Sequence, residues 1–255
     1  MTSGRGCAWP RRHGSDRREM ASHICPGCGE TVKVEGGMAR VACASCRTVV
    51  DAEGAEHGKA EPFEAASTRL EIGTRVVIPH RVTPSRDEPV RQDLAAKIVG
   101  GVQWRHPLGG VWTEWSLALE RELPALSGVA GPLTVAWLAE YQGNLAVLFA
   151  RSAAAMQRFG SSNAATPGQR YQTTWGLLEC VDRGLARVIA IEGQIADEVA
   201  ADDEREFVDF SGPPDRVATL SFEGVPDARG RRRQRFHYGH EVTPALLGLG
   251  VKAAP

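Results

Sequence analysis

Four cysteines constrain this chain more than any other feature: Cys25-Pro-Gly-Cys28, fourteen residues, then Cys43-Ala-Ser-Cys46. Two C-x2-C pairs at that separation have the spacing of a zinc ribbon, with Cys25, Cys28, Cys43 and Cys46 as ligands. Four thiolates close the coordination sphere of Zn²⁺, so the ion is expected to be structural. Gly27 and Gly29 offer positions where each tight knuckle takes φ > 0 without a Cβ clash. Thr31–Val34 and residues 38–41 read as short strands joined by Glu35-Gly-Gly37, a hairpin that brings the knuckles together. Disulfides and a redox C-x-x-C site compete with zinc, but a chain expected in the cytoplasm rarely keeps disulfides and no thioredoxin-like βαβ pattern surrounds either pair. His23, two residues before the first ligand, reads as a neighbour, and Cys7 and Cys180 stand alone as non-ligands.

The rest of the chain supplies a second unit. Hydrophobic content of 42% is enough for a sizeable core, and Lys plus Arg (30) balances Asp plus Glu (31), so no global charge points to nucleic acid. No apolar run is long enough for a membrane helix, and the arginines of residues 1–19 precede no apolar h-region, so a cytoplasmic location is expected. Residues 1–20 read as a disordered or mis-assigned extension with Met20 as the start, 21–50 as the ribbon, and 51–68 as a flexible linker rich in Ala, Glu and Gly. Residues 69–243 break into short β-branched or alternating runs punctuated by Gly, Pro and Asp, the pattern of an antiparallel β-sandwich or barrel-like domain. The fold class is therefore mainly β. Predicted strands cover 75–78, 95–104, 111–119, 134–139, 145–150, 173–181, 186–195, 206–210, 217–223 and 234–242. In the third, Val111, Thr113, Trp115, Leu117 and Leu119 share the core face, with Trp112, Glu114 and Ser116 opposite. Residues 244–255 form a short helix or tail, with Thr243 as N-cap and Pro244 at the first helical position.

Chemistry-bearing residues are sparse. Glu114, Glu140, Glu192 and Glu223 sit beside aromatics or glycines, and Glu140, Glu192 and Glu223 would form an acid–base or ligand site if they converge in one pocket; strand carboxylates more often pair with arginine. His80, His106, His237 and His240 lack metal spacing, and no nucleophile elbow, P-loop or dinucleotide fingerprint occurs. A basic tip, Arg229-Gly-Arg231-Arg232-Arg233-Gln-Arg235, offers contacts to an anionic surface or an acidic partner, or pairs with the acidic loop at 197–204.

Leu70-Glu-Ile-Gly-Thr74, Trp112-Thr-Glu-Trp115-Ser-Leu, Trp137-Leu-Ala-Glu140-Tyr-Gln-Gly143, Ile191-Glu-Gly193 and Leu220-Ser-Phe-Glu223 occur in an order that resembles the bacterial domain of unknown function numbered 4178. The resemblance covers most of residues 70–243. It departs at 79–93, which is longer and more polar, and at an Ala-, Ser- and Gly-rich insert at 151–169. It implies a mostly β fold, C-x-x-C pairs ahead of the domain, no established activity, and association with membrane-related or stress-related systems. The expected function is a non-catalytic binding or adaptor protein with a structural zinc ribbon, its partner another protein or a membrane-associated assembly. The alternatives are a small-ligand-binding or hydrolytic enzyme using Glu140, Glu192 and Glu223, and a nucleic-acid binder acting through the ribbon and the basic tip.

Overall fold

Each C-x-x-C knuckle must reverse the chain, so its own flanking residues pair, and the ribbon consists of two hairpins with a knuckle at each turn. The computed structural model describes residues 20–64, 70–79, 93–124, 132–156, 162–173, 175–224 and 232–249. Strand β1 (Ala21–Ile24) pairs with β2 (Thr31–Val34) around the first knuckle, and β3 (Arg40–Ala42) pairs with β4 (Thr48–Asp51) around the second. The expected pairing of the second strand with the third is not formed; they belong to different sheets. The expected flexible linker is also structured through residue 64. Within it β5 (Glu56–Lys59) extends the β3–β4 hairpin, and Phe63 packs edge-on against Trp115.

The body is built from two halves with the same plan. β6 (Arg75–Ile78), β7 (Leu94–Arg105), β8 (Val111–Leu123), β9 (Leu133–Tyr141) and β10 (Asn144–Arg151) pair antiparallel in chain order. β11 (Arg170–Thr173), β12 (Gly176–Ile195), β13 (Glu204–Gly212), β14 (Arg216–Glu223) and β15 (Arg233–Val242) do the same. Two antiparallel seams join the halves, β7 to β12 and β10 to β15. Each seam pairs a strand with its own counterpart, which is the arrangement a pseudo-twofold axis produces. The circuit β7-β8-β9-β10-β15-β14-β13-β12 is thereby closed. Backbones crowd at both seams: a Cβ on Gly100 would lie 2.3 Å from the Gln194 amide nitrogen, and one on Gly239 would lie 1.8 Å from the Val147 carbonyl oxygen.

Register decides which side chains face one another. Trp112 on β8 meets Phe207 on β13 at 5.7 Å between ring centroids, and the Arg205 guanidinium lies 4.4 Å over Trp104 of β7. Neither pair joins neighbouring strands, so this face looks inward across the circuit. The opposite faces hold two separate apolar clusters, one around Trp115, Leu117, Leu138 and Phe149 and one around Phe210, Leu220, Phe222 and Phe236. The predicted core face of β8 is thus in place, but its other face is also covered: Ser116 is buried and Glu114 half-buried. From Gly176 on, predicted strands 173–181 and 186–195 are one strand, β12, because it pairs with β3, β7, β11 and β13; Thr173 instead ends β11, and the expected break at 182–185 pairs with β13 just after a bulge between Cys180 and Asp182. Thr243 caps a single 3₁₀ turn, Pro244–Leu247, accepting from the Leu246 N–H.

Candidate metal centre

The two knuckles are built alike. Cys25 N–H donates to the Glu30 carbonyl and Cys43 N–H to the Thr48 carbonyl, while Gly29 N–H and Arg47 N–H close the turns onto the Cys25 and Cys43 carbonyls. The residue after each second cysteine takes a left-handed conformation, Gly29 at φ 80° and Arg47 at φ 64°. Gly27 serves differently from the expectation. Its φ is not positive, but a Cβ there would lie 2.2 Å from Thr48 Oγ1 and 3.1 Å from Cys46 Sγ, so it is kept small for space.

All four sulfurs lie within 4.8 Å of one another, with Cys25–Cys46 at 3.6 Å and Cys28–Cys43 at 3.7 Å. A tetrahedral thiolate site with bonds of about 2.3 Å separates its sulfurs by about 3.8 Å, so the cluster fits one metal ion. The Glu30 backbone N–H favours the Cys28 thiolate, but the Cys46 sulfur, desolvation and the Cys43 and Cys25 sulfurs outweigh it and push the thiol up to about 12. The Thr48 hydroxyl and backbone bring Cys46 down to about 6. Four sulfurs at this spacing need a cation to ionise together. His23 spends a ring nitrogen on the Ala52 carbonyl, 2.9 Å away, and Cys180 is buried in the second-half cluster. Cys7 and His80 lie outside the described residues.

The ribbon is packed onto the body. Cys25, Val32, Val34, Met38, Val41, Cys43 and Val50 share one apolar cluster with Ala118, Val135, Trp137 and Leu148 of the inner face. Strand β3 pairs with the end of β12, Val41 with Gln194 and Arg40 with Ile195, and the Gln194 side chain accepts from the Glu35 N–H at 2.7 Å.

Beneath it the basic tip pairs with the acidic loop, one of the two readings its charges allowed, but the pairs form a buried ion cluster built around Arg205, which the sequence did not single out. Asp197, only 2% exposed, accepts from Arg235 Nη1 at 2.7 Å and from Trp137 Nε1 at 3.3 Å. Arg235 Nε also meets Glu223 at 2.9 Å. Arg205 reaches Glu223 at 3.3 Å and Glu114 at 3.6 Å, and Glu114 accepts from both Trp104 and Trp112. Burial pushes the Glu114 and Glu223 carboxyls up despite these arginines. Burial opposes ionisation of Asp197 too, but Arg205 and Arg235 outweigh it and hold it below the ordinary carboxylate range. Burial pushes His237 down to about 4 against the pull of Asp197. Its ring lies 4.4 Å from that of Trp137.

The three candidate glutamates do not converge. Glu140 accepts from Trp115 Nε1 at 3.0 Å on the outer face of β9, whereas Glu223 is on the inner face. Glu192 accepts the Phe63 N–H at 2.9 Å and so anchors the segment leaving the ribbon. His237 and His240 fall on opposite faces of β15, and His240 pairs with Asp215. Of the basic tip, Arg229 and Arg231 lie outside the described residues. Arg232 pairs with Glu206, Arg233 with Glu198, and Arg235 with Asp197 and Glu223. No helix among the described residues is long and apolar enough to cross a membrane. No family model, curated protein or solved structure matches the chain.

Proposed function

We propose that Cys25, Cys28, Cys43 and Cys46 hold one structural Zn²⁺ and that the chain is a non-catalytic binding or adaptor protein. The observation that carries the metal reading is the closed set of four sulfurs at tetrahedral spacing. Thiolates select zinc over harder cations, and with no open coordination position the ion supports the fold rather than a reaction. The adaptor reading is supported by how the polar groups are spent. Glu140, Glu192 and Glu223 hold Trp115, Phe63 and Arg235 in place. The described arginines of the basic tip are neutralised within the chain, which disfavours nucleic acid. The partner is a protein that meets the exposed side of the ribbon, where Ile24, 66% exposed, sits beside the first ligand. Native mass spectrometry and a pull-down from the host lysate test this. The intact chain should carry one zinc and recover a protein partner, and Ile24→Glu should keep the zinc and lose the partner. A chain without zinc, or one that recovers nothing, overturns the proposal.

A further inference from the structure

The ribbon and the buried ion cluster are joined by two independent routes. The first is Trp137. Its indole belongs to the apolar cluster that contains Cys25 and Cys43, its Nε1–H donates to Asp197, and its ring packs against His237. The second is the end of β12. Gln194 and Ile195 pair with β3 of the ribbon, the Ala39 N–H donates to the Ile195 carbonyl, and the next residue, Ala196, donates its N–H to Ser116 Oγ at 3.0 Å. Asp197 follows at once. The backbone that places this carboxylate is therefore fixed on one side by the ribbon strand and on the other by the inner face of β8.

The cluster that Asp197 organises is not a fully satisfied lock. Arg205, 7% exposed, leaves Nε and Nη2 without hydrogen bonds among the described residues, and so do Ser221 Oγ and Glu223 Oε1. Arg205 Nη2 stands 3.8 Å from Asp197 and 3.3 Å from Glu223, closer than an unrelated contact but without hydrogen-bond geometry. Four carboxylates share two guanidinium groups here, Asp197, Glu223 and Glu114 together with the half-exposed Glu198, 3.6 Å from Arg235 Nη2. A partly satisfied charged network in a low-dielectric interior has neighbouring arrangements of similar energy, and the placement of its best-paired member selects among them. That member is Asp197, which also sits where the ribbon holds the chain.

We propose that metal occupancy of the cysteine site and the arrangement of the Asp197–Arg235–Glu223–Arg205–Glu114 cluster are coupled, so that losing the ion frees Trp137 and re-pairs the cluster. The coupling rests on the zinc reading and adds a consequence to it: the ribbon reports its metal state to the interior of the body. By linkage the bound ion and the cluster arrangement favour each other by one and the same factor, so a change that breaks the arrangement weakens metal binding by up to that factor.

The full-length chain labelled with 5-fluorotryptophan tests both directions. Fluorine spectra are recorded with zinc bound and after chelation, while a zinc-sensitive dye counts the released ion. The Trp137 line is assigned with Trp137→Phe. On zinc release the Trp137 line should move, while the Trp175 line, from a ring packed against Phe236 and Tyr238 in the second-half cluster, should stay. Asp197→Asn should weaken zinc binding by about 5- to 150-fold, the usual span of such couplings. Zinc that leaves without moving the Trp137 line overturns the coupling alone. Equal movement of the Trp175 line overturns it too, since the ion would then hold the whole fold. A chain that takes up no zinc overturns both this inference and the reading it rests on.

Discussion

Asp209 gives a test of the inner face by pH. Its carboxyl accepts from Thr219 Oγ1 at 2.7 Å and is otherwise desolvated, with Glu114 and Asp182 adding repulsion, and burial pushes it from 3.8 up to about 7. At about 1.4 kcal/mol per unit the full shift corresponds to about 4 kcal/mol. Water reaching the half-buried group reduces this to about 2 kcal/mol. The sign follows from proton counts. Between pH 4 and 7 the folded chain holds a proton that the unfolded chain has released, so this group makes stability fall as pH rises through that window. Above it the carboxyl is charged in the folded chain and the whole of that reduced cost is present. Asp209→Asn removes the charge and keeps the shape, and so should raise stability by about 2 kcal/mol at pH 8 and by roughly a quarter of that at pH 4.5. For a chain of this size that is a rise of about 4–8 °C in Tm at pH 8. His237, held neutral down to about 4, has the opposite pH dependence, losing stability as pH falls from 6.5, but it is common to both chains and cancels in the difference. Thermal melts of both chains at the two pH values decide the matter. A gain independent of pH, or a loss at pH 8, would refute the reasoning.

Other perturbations separate the remaining contributions. Gly27→Ala places a methyl on Thr48 and Cys46, so zinc should dissociate faster in a chelator competition, with the body's far-UV spectrum unchanged. Arg47→Gly relieves a left-handed residue in the second knuckle and should add about 1 kcal/mol in chemical denaturation, provided Ala60 keeps its bond to the residue 47 carbonyl. Gly239→Ala drives a Cβ into the Val147 carbonyl and should cost about 3 kcal/mol or more by opening the β10–β15 seam, read as lost amide protection along both strands. Phe63→Ala should cost about 2 kcal/mol by removing the contact to Trp115, with zinc content unaffected.

The metal ligands and most strands were legible because each rests on a local rule: thiolate spacing for Cys25 to Cys46, and period-two patterning for β8, where Trp115, Leu117 and Leu119 are core. What was not legible depends on long-range pairing. The acidic stretch beginning at Asp197 looks like a solvent loop, and only the pairing of β12 with β3 and the donation from Trp137 turn its first residue inward. Arg205, Phe207 and Asp209 alternate along β13, yet closure of the circuit puts Arg205 against Trp104 and Glu114 and Phe207 against Trp112. The linker was misread for a similar reason. Phe63 is its one large apolar residue, and the anchors that order it, Glu192 and Gln103, lie far away in the chain.

The two matched seams also govern how the chain reaches its fold. Leu148 must find Gly239, and Gly101 must find Glu192, so neither half can seal its edges until the other has been made. Closure of such distant contacts comes late and slowly. Until then each half offers two bare edges, and a second copy of the chain carries the complementary pair. Concentrated refolding should therefore yield domain-exchanged dimers, and dilute refolding monomers, from a sequence whose finished circuit leaves neither seam open.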